Sequence, residues 1–400
     1  MKILIVSQKF HPEPFRIFDI AKKFVSFGHE VTVLCGIPNY PEGEWYKGYS
    51  RKENRVEEIE GIHIVRAYES PRKAGIMHRL LNYYSFSFFG KRKARKLEGD
   101  FDVIFLYALS PLMMADPAIG YKRKYGAKIL MYGMDPWPES LLIGGIKKDS
   151  LIYNHYKRVS RRIYGAMDYI LVSTKDHIPY IENLVGKPLR IDYLPQYSND
   201  VVSTRIKRKE GEPFHILFAG NLGIAQGLET VIEGAALLKE EDNVIFDIIG
   251  DGSEFESLRR LGERLNANNV LFHSRVPIGE LGDFYAKADM ALVTLNASSY
   301  CNMTIPGKIQ GYLKNGIPIL SMAGSATDNL VDENLCGVVV PSHDKRIFAA
   351  KVKECAKLKE SVLEGYGKNG KALYEKEMAE ERYFAKVMPI LESLAKEKGK

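Results

Sequence analysis

The chain has 400 residues, 45% of them hydrophobic and 27% charged, the balance of a soluble globular protein with length for two or three domains, each with its own core. The formal net charge is +7, which suits acidic partners such as phosphate compounds, anionic lipid or nucleic acid. Cys35, Cys301, Cys336 and Cys355 show no paired or metal-type spacing, which argues against a disulfide framework or zinc site and fits a reducing cytoplasm.

The opening "MKILIVSQKF" has one lysine and a short apolar run before it turns polar, and reads as a first β-strand rather than a signal peptide. In "KFHPEPFRIFDI" Arg16 falls in the first turn of a helix predicted from Phe15 to Phe27 and ended by Gly28. A cation there is unfavourable unless an anion is present. "PNYPEGEWYKGY", residues 38–49, is long, aromatic and proline-bearing, as a mobile binding loop would be. Further strands are predicted at 31–35, 63–68, 103–107, 128–132, 169–173 and 190–194, with helices between most of them. This is the rhythm of a parallel sheet covered on both faces.

From Pro71 to Leu97 the chain carries eight lysines and arginines and no acid, around Leu80, Leu81, Tyr83, Tyr84, Phe86, Phe88 and Phe89. Such a segment can lie on an anionic bilayer surface; it can also be a core helix with a basic tail, and the two are compatible. No nucleic-acid-reading motif accompanies the charge. No apolar run approaches the roughly 18–20 residues of a membrane span. "GDFDVIF" contains the pair Asp100 and Asp102, formally the D-x-D of metal-dependent sugar transferases. Opening a buried strand, these acids more simply cap the preceding turn. "MYGMDPWPES", 131–140, ends a strand in Asp135, Trp137 between two prolines, and Glu139. The acids offer hydroxyl acceptors and the indole a flat apolar face, which suits a sugar; the alternative is a rigid structural turn.

Near Gln196 the pattern lapses into "YSNDVVSTRIKRKEGEP", polar and mixed in charge, and then restarts with strands at 214–220, 244–250, 270–274, 290–295, 317–322 and 337–342. The expected organisation is a first domain at 1–197, a linker at 198–212, a second domain at 213–375 and a helical tail at 376–400 interrupted by Pro389. Two such domains leave a cleft between their carboxyl strand ends, where open α/β sheets bind ligands.

"FAGNLGIAQGLETVIEGAALL" runs from a strand through Gly220, Gly223 and Gly227 into a helix beginning near Leu228, a loop that allows close backbone approach to a phosphate. Gly250 and Gly252 in "IIGDGSEFESL" lack the full dinucleotide fingerprint and read as a turn. In "TIPGKIQGYLKNGIPIL", 304–320, Pro306 suits a helix start, Ile309, Tyr312 and Leu313 face a core, and Gly316 is a left-handed cap. Lys308 and Gln310 fall on the other side near the helix start; the lysine is either solvated or shares an anion.

These pieces, in this order, resemble a GT-B glycosyltransferase of family 4, in the branch serving capsule, O-antigen and exopolysaccharide assembly. The resemblance runs nearly the whole chain and rests most on "FGHEVTVLCGIPNYPEGEWYKGY", "DPWPES", "YLPQY", "FAGNLGIAQGLETVIE" and "TIPGKIQGYLKNGIPIL". It implies an α/β fold of two doubly wound, Rossmann-like parallel-sheet domains facing a cleft, and a kinked last helix that returns to the first domain. It also implies metal-independent, retaining transfer from a nucleotide-sugar donor with no cofactor. The donor would be held by Gly220, Asn221, Gly223, Gln226, Arg275, Asn302, Thr304, Lys308 and Gln310, and the acceptor by Arg16, Asp135, Trp137 and Glu139. Lys308, with the start of its helix, would meet the leaving diphosphate, and Asp135 would orient or deprotonate the acceptor hydroxyl.

By the same resemblance the acceptor is a glycan linked to undecaprenyl diphosphate. The protein is then cytoplasmic, peripheral on the anionic inner face of the plasma membrane, with no nucleic-acid partner. The chain departs from the family where two glutamates eight positions apart are replaced by Asn302 and Gln310, and an arginine and a lysine by Asn221 and Gln226. These changes leave Lys308, with Arg275 or Arg16, to offset the diphosphate. The missing glutamates raise the alternative of a non-catalytic sugar-nucleotide-binding scaffold subunit. A sugar-nucleotide epimerase of the same fold is a further alternative, for which the 38–49 loop would be superfluous.

Overall fold

Alternating strands and helices build two sheets, each at the centre of its own unit. The computed structural model describes residues 1–73, 75–238, 243–297 and 299–398. The first unit comprises Met1–Leu194 with Ala385–Lys400, and the second Pro195–Phe384.

In the first unit the strands are β1 (Lys2–Val6), β2 (Glu30–Cys35), β3 (Val56–Ile59), β4 (Ile62–Arg66), β5 (Val103–Ala108), β6 (Lys128–Gly133), β7 (Tyr169–Val172) and β8 (Ile191–Tyr193). Their order is β3-β4-β2-β1-β5-β6-β7-β8. All neighbours run parallel except β3, which is antiparallel to β4. Every residue of β5 is buried, as expected of a central strand with helices on both faces. β3 was not anticipated. Its sequence Val-Glu-Glu-Ile is half exposed at the sheet edge, and Glu60 (φ 49°) and Gly61 (φ 77°) supply the two left-handed residues of a tight hairpin.

Helix α1 (Ile17–Ser26) buries Ile17, Ile20, Ala21 and Phe24 at helical spacing. Helix α2 (Ile76–Ala94) is a part-buried helix with a basic tail. Asn82, Phe86, Gly90 and Ala94, four residues apart, form its buried side, while Met77, Leu81, Tyr84, Phe88 and Phe89 remain exposed. Helix α3 (Asp116–Tyr125) crosses α2 where both carry glycine. The D-x-D acids have structural roles: Asp102 Oδ2 accepts the Lys2 N–H at 2.7 Å, and Asp100 pairs with Lys398.

The second unit holds β9 (Phe214–Ala219), β10 (Val244–Ile249), β11 (Val270–His273), β12 (Met290–Thr294), β13 (Ile319–Met322) and β14 (Gly337–Val339), in the order β11-β10-β9-β12-β13-β14, all parallel. The stretch expected as a linker is a strap held to this unit. Asp200 Oδ2 accepts from Tyr285 Oη at 3.0 Å, Ser203 N–H donates to Asn315 Oδ1 at 2.7 Å, and Arg205 pairs with Asp289 and Glu360 at 3.1 and 2.6 Å. Arg205, Lys207 and Arg208 are paired, which composition cannot reveal. The last helix, Glu380–Lys396, contains Pro389. Residues from Ala385 onward belong to the first unit, where Lys386 Nζ donates to the Tyr193 carbonyl at 2.9 Å and Arg190 meets Glu397 at 3.0 Å.

A Cβ added at Gly90 would lie 2.7 Å from Pro117 Cγ, and one at Gly120 2.8 Å from Lys91 Cγ. Gly90→Val is therefore expected to force α2 from α3 and cost about 1–3 kcal/mol. Urea denaturation checks this, with an unchanged midpoint counting against the close crossing.

Candidate functional site

In the second unit the site begins where β9 stops. Tyr312 Oη accepts the Ala219 N–H at 2.8 Å and donates to the Ala219 carbonyl at 3.3 Å, fixing the strand end. Gly220 follows with φ 149°, a conformation that favours glycine. The second glycine turn braces this first one. A Cβ at Gly250 would lie 1.8 Å from the Gly220 carbonyl oxygen, and Leu222 N–H donates to the Asp251 carbonyl at 2.9 Å. Gly227 then turns left-handed (φ 61°) into the helix Leu228–Ala235.

Lys308 opens the helix Lys308–Lys314. Its Nζ stands 3.4 Å from the centroid of the Phe218 ring and donates to Gln226 Oε1 at 2.7 Å. A Cβ at Gly220 would come within 3.2 Å of its Cε and Nζ. Among the described residues no carboxylate pairs with it, and burial alone pushes its ammonium well below the ordinary lysine range. An ammonium has three donors, and here one meets an amide oxygen and a ring face lies beside it, while the residue as a whole is half-buried.

Of the other expected donor residues, Gly220 and Gln226 lie against Lys308. Gln226 holds Lys308. Gln310, on the same helix, is 3% exposed, and its Oε1 is buried without a hydrogen-bond partner. Asn302 and Thr304 join the 324–327 segment: Asn302 Oδ1 lies where a Cβ at Gly324 would come within 2.5 Å, and Thr327 Oγ1 donates to the Thr304 carbonyl at 3.0 Å. Asn221 is exposed, with Nδ2 against Gly223. Arg275 is exposed just beyond β11, and no described contact ties it to Lys308. Phe218 and Tyr312 were not anticipated as site residues, because an apolar run and a helical stripe read only as core.

In the first unit, Arg16 precedes α1 and Asp135 follows β6. Both charges act on Tyr107, a buried residue of β5 whose hydroxyl is pushed up to about 12 by burial, with smaller effects from Arg16 and Asp135. The structure thus places Arg16 and Asp135 each within electrostatic reach of Tyr107, beyond the carboxyl ends of β1 and β6. Trp137 corrects expectation. It is 2% exposed, edge-on to Tyr83 and Tyr156, and offers no face to a sugar. Its Nε1 donates to Ser110 Oγ at 2.9 Å, and Ser110 Oγ donates to Asp135 Oδ2 at 2.7 Å, so the indole positions the acid. Glu139 is corrected too. It is buried, accepts from Tyr153 Oη at 2.8 Å and lies 3.7 Å from Lys148, an internal brace rather than an acceptor contact.

The 38–49 loop is pinned rather than loose. Glu13 Oε1 accepts the Asn39 and Tyr40 N–H groups at 2.9 and 2.8 Å, Trp45 Nε1 donates to the Glu69 carbonyl at 3.1 Å, and Tyr46 Oη to the Tyr40 carbonyl at 2.6 Å.

Residues 202–372 match the family model described as glycosyl transferases group 1. The second unit carries a group 1 glycosyltransferase domain. Around it the whole chain has the GT-B fold. It superposes on sucrose-phosphate synthase from Thermosynechococcus elongatus with a TM-score of 0.78 at 14% identity, covering 98% of each chain. It likewise superposes on WaaG, a glycosyltransferase involved in lipopolysaccharide biosynthesis, with a TM-score of 0.67 at 15% identity over 100% of each chain. Anabaena HepE, solved with UDP and glucose, gives a TM-score of 0.68 at 14% identity over 98% of this chain and 100% of its own. In sequence, the chain is 26% identical over 324 residues to WbjE of Pseudomonas aeruginosa, named as a glycosyltransferase, covering 77% of this chain and 79% of that one. It is 23% identical over 339 residues to WcaI of Escherichia coli, named for colanic acid biosynthesis, covering 79% and 82%.

Because burial depresses Lys308 in the folded state, this lysine costs the protein stability at any pH below the unfolded lysine range of about 10.4. Lys308→Met is expected to raise the thermal midpoint of the ligand-free protein at neutral pH. The gain should shrink as pH rises from the depressed value toward that range, where the amine is neutral in both states. A lower midpoint across the whole pH range would show that the lysine is structurally satisfied.

Proposed function

We propose that this glycosyltransferase moves a sugar from a nucleotide-sugar donor on the second unit to a glycan linked to undecaprenyl diphosphate, taken by the first unit, in bacterial surface polysaccharide synthesis. The anomeric configuration is retained and no metal is needed. The observation that carries this reading is the half-buried Lys308 ammonium, with no carboxylate partner among the described residues, beside a glycine loop. Relatives named for lipopolysaccharide and colanic acid biosynthesis, and one solved with UDP-glucose, support the substrate classes.

As the glycosidic bond breaks, negative charge gathers on the leaving diphosphate oxygen. A preplaced ammonium stabilises it without having to reorganise. Asp135, held by Ser110 and near Arg16, orients the attacking hydroxyl. No carboxylate among the described residues contacts Lys308, which suits departure and attack on one face of the sugar rather than a covalent intermediate. Asp100 and Asp102 are engaged elsewhere, which supports metal independence.

Lys308→Ala tests the reading. Turnover should fall on the order of 100-fold or more, and nucleoside diphosphate should bind far more weakly while nucleoside affinity holds. Equal loss for both ligands would remove the lysine from the phosphate site, and binding without any transfer by the wild type would favour the scaffold alternative. Gln310→Leu should weaken the intact donor and free nucleotide alike, if the amide bonds the ribose. Unchanged nucleotide affinity would sink that assignment.

The first unit has a surface suited to a lipid-borne acceptor. Met77, Leu81, Tyr84 and Phe88 form an exposed row on α2, beside a helix α4 (Leu151–Tyr164) whose Leu151 and Ile152 are also exposed. Tyr84 Oη meets His155 Nε2 of α4 at 3.2 Å. Lys91, Arg92, Lys93, Arg95 and Lys96 follow. No helix among the described residues is long and apolar enough to cross a membrane. We place this face on the anionic inner leaflet, where each charge gains up to about 1 kcal/mol. Flotation with anionic vesicles should show binding that weakens as salt rises. Neutralising the five basic residues should remove most of it, and Leu81→Gln with Phe88→Gln the salt-resistant remainder. Indifference of the wild type to anionic vesicles at low salt would overturn the placement.

A further inference from the structure

The carboxyl ends of β1, β2 and β4 meet at a carboxylate that the transfer chemistry leaves unused. Glu69, three residues past β4, is 0% exposed. Its Oε1 accepts from Lys9 Nζ and Asn82 Nδ2 at 2.6 Å each, from Gln8 Nε2 at 3.0 Å and from Asn39 Nδ2 at 3.1 Å. Four donors converge on one oxygen, which a full negative charge attracts and a neutral amide oxygen does not. Its Oε2 occupies the space left by Gly36, where a Cβ would lie 1.7 Å away. Lys9 also stands 3.4 Å from Glu13, so one buried cation serves two buried carboxylates. Such a cluster is costly to desolvate and a poor choice if stability were its only purpose. The four bonds to Oε1 still tie its donors to one geometry, while Oε2 is buried without a hydrogen-bond partner.

The donors come from three segments. Gln8 and Lys9 lie on the loop leading to Arg16, Asn39 on the 38–49 loop, and Asn82 on α2. Glu13 extends the same cluster through the Phe10, Asn39 and Tyr40 N–H groups. We infer that Glu69 is a positioning residue for the acceptor: its charge locks the Arg16 loop, the 38–49 loop and α2 into one arrangement. An acceptor presented at α2 therefore meets loops already ordered. This rests on the reading that the first unit takes the acceptor.

The test is Glu69→Gln, which keeps the shape and removes the charge, with Asn82→Ser as a second variant that releases only α2. Hydrogen exchange of the backbone amides is read in the ligand-free protein, and transfer kinetics in parallel. Exchange at 8–16 and 36–46 should quicken about tenfold or more in Glu69→Gln. Asn82→Ser should loosen α2 and the same loops to a smaller degree. Acceptor KM should rise about tenfold with kcat little changed and nucleoside diphosphate affinity intact. A merely structural role would lower kcat through loss of folded enzyme and leave KM alone, and that result overturns the inference. Unchanged exchange in both variants overturns it as well, whatever the transfer assay gives. If exchange quickens but the wild type transfers no sugar, the lock stands and the acceptor reading of this unit falls.

Discussion

The second unit is organised around an ammonium that it does not neutralise. Lys308 is set against the Phe218 ring and given a single amide oxygen, from Gln226. Everything near it serves that placement: Tyr312 holds the end of β9, Gly220 leaves room for the lysine stem, and Gly250 backs Gly220 so closely that no side chain fits between. A carboxylate at Gln226 would satisfy the charge and cancel the attraction for an anion. The neutral amide of Gln226 instead holds the ammonium without cancelling its charge.

The first unit resolves its buried charge in the opposite way. Lys9, Glu13 and Glu69 are sealed among amides and backbone N–H groups, with few bonds left unmade. One cluster pairs its cation with carboxylates, and the other leaves its cation with an amide and a ring. The same contrast separates Trp137 from its expected role: it is packed as core and acts on Asp135 through one serine hydroxyl.

Much of the architecture was legible along the chain. Buried parallel strands are continuous apolar runs, so all six strands of the second sheet and seven of the eight in the first could be placed. β3 escaped because an edge strand keeps its charges. The glycine loop, the Leu228 helix and the short helix carrying Lys308 were legible for local reasons, since positive φ and helix ends leave marks in neighbouring residues. The strap at 198–212 and the loop at 38–49 were misjudged because polar and proline-rich composition records what a segment lacks, not what it is bonded to.

The sequence by itself determined the two doubly wound sheets, the family resemblance, and the residue types at the donor loop, because periodicity and turn chemistry act over a few residues. Only the tertiary structure decided that Lys308 is left without a counter-charge. It alone turned Trp137 and Glu139 inward and made Glu69 the meeting point of three distant segments. These outcomes depend on which side chains come within about 3–4 Å across the fold. Burial converts such neighbours into strong interactions, and no local pattern encodes it.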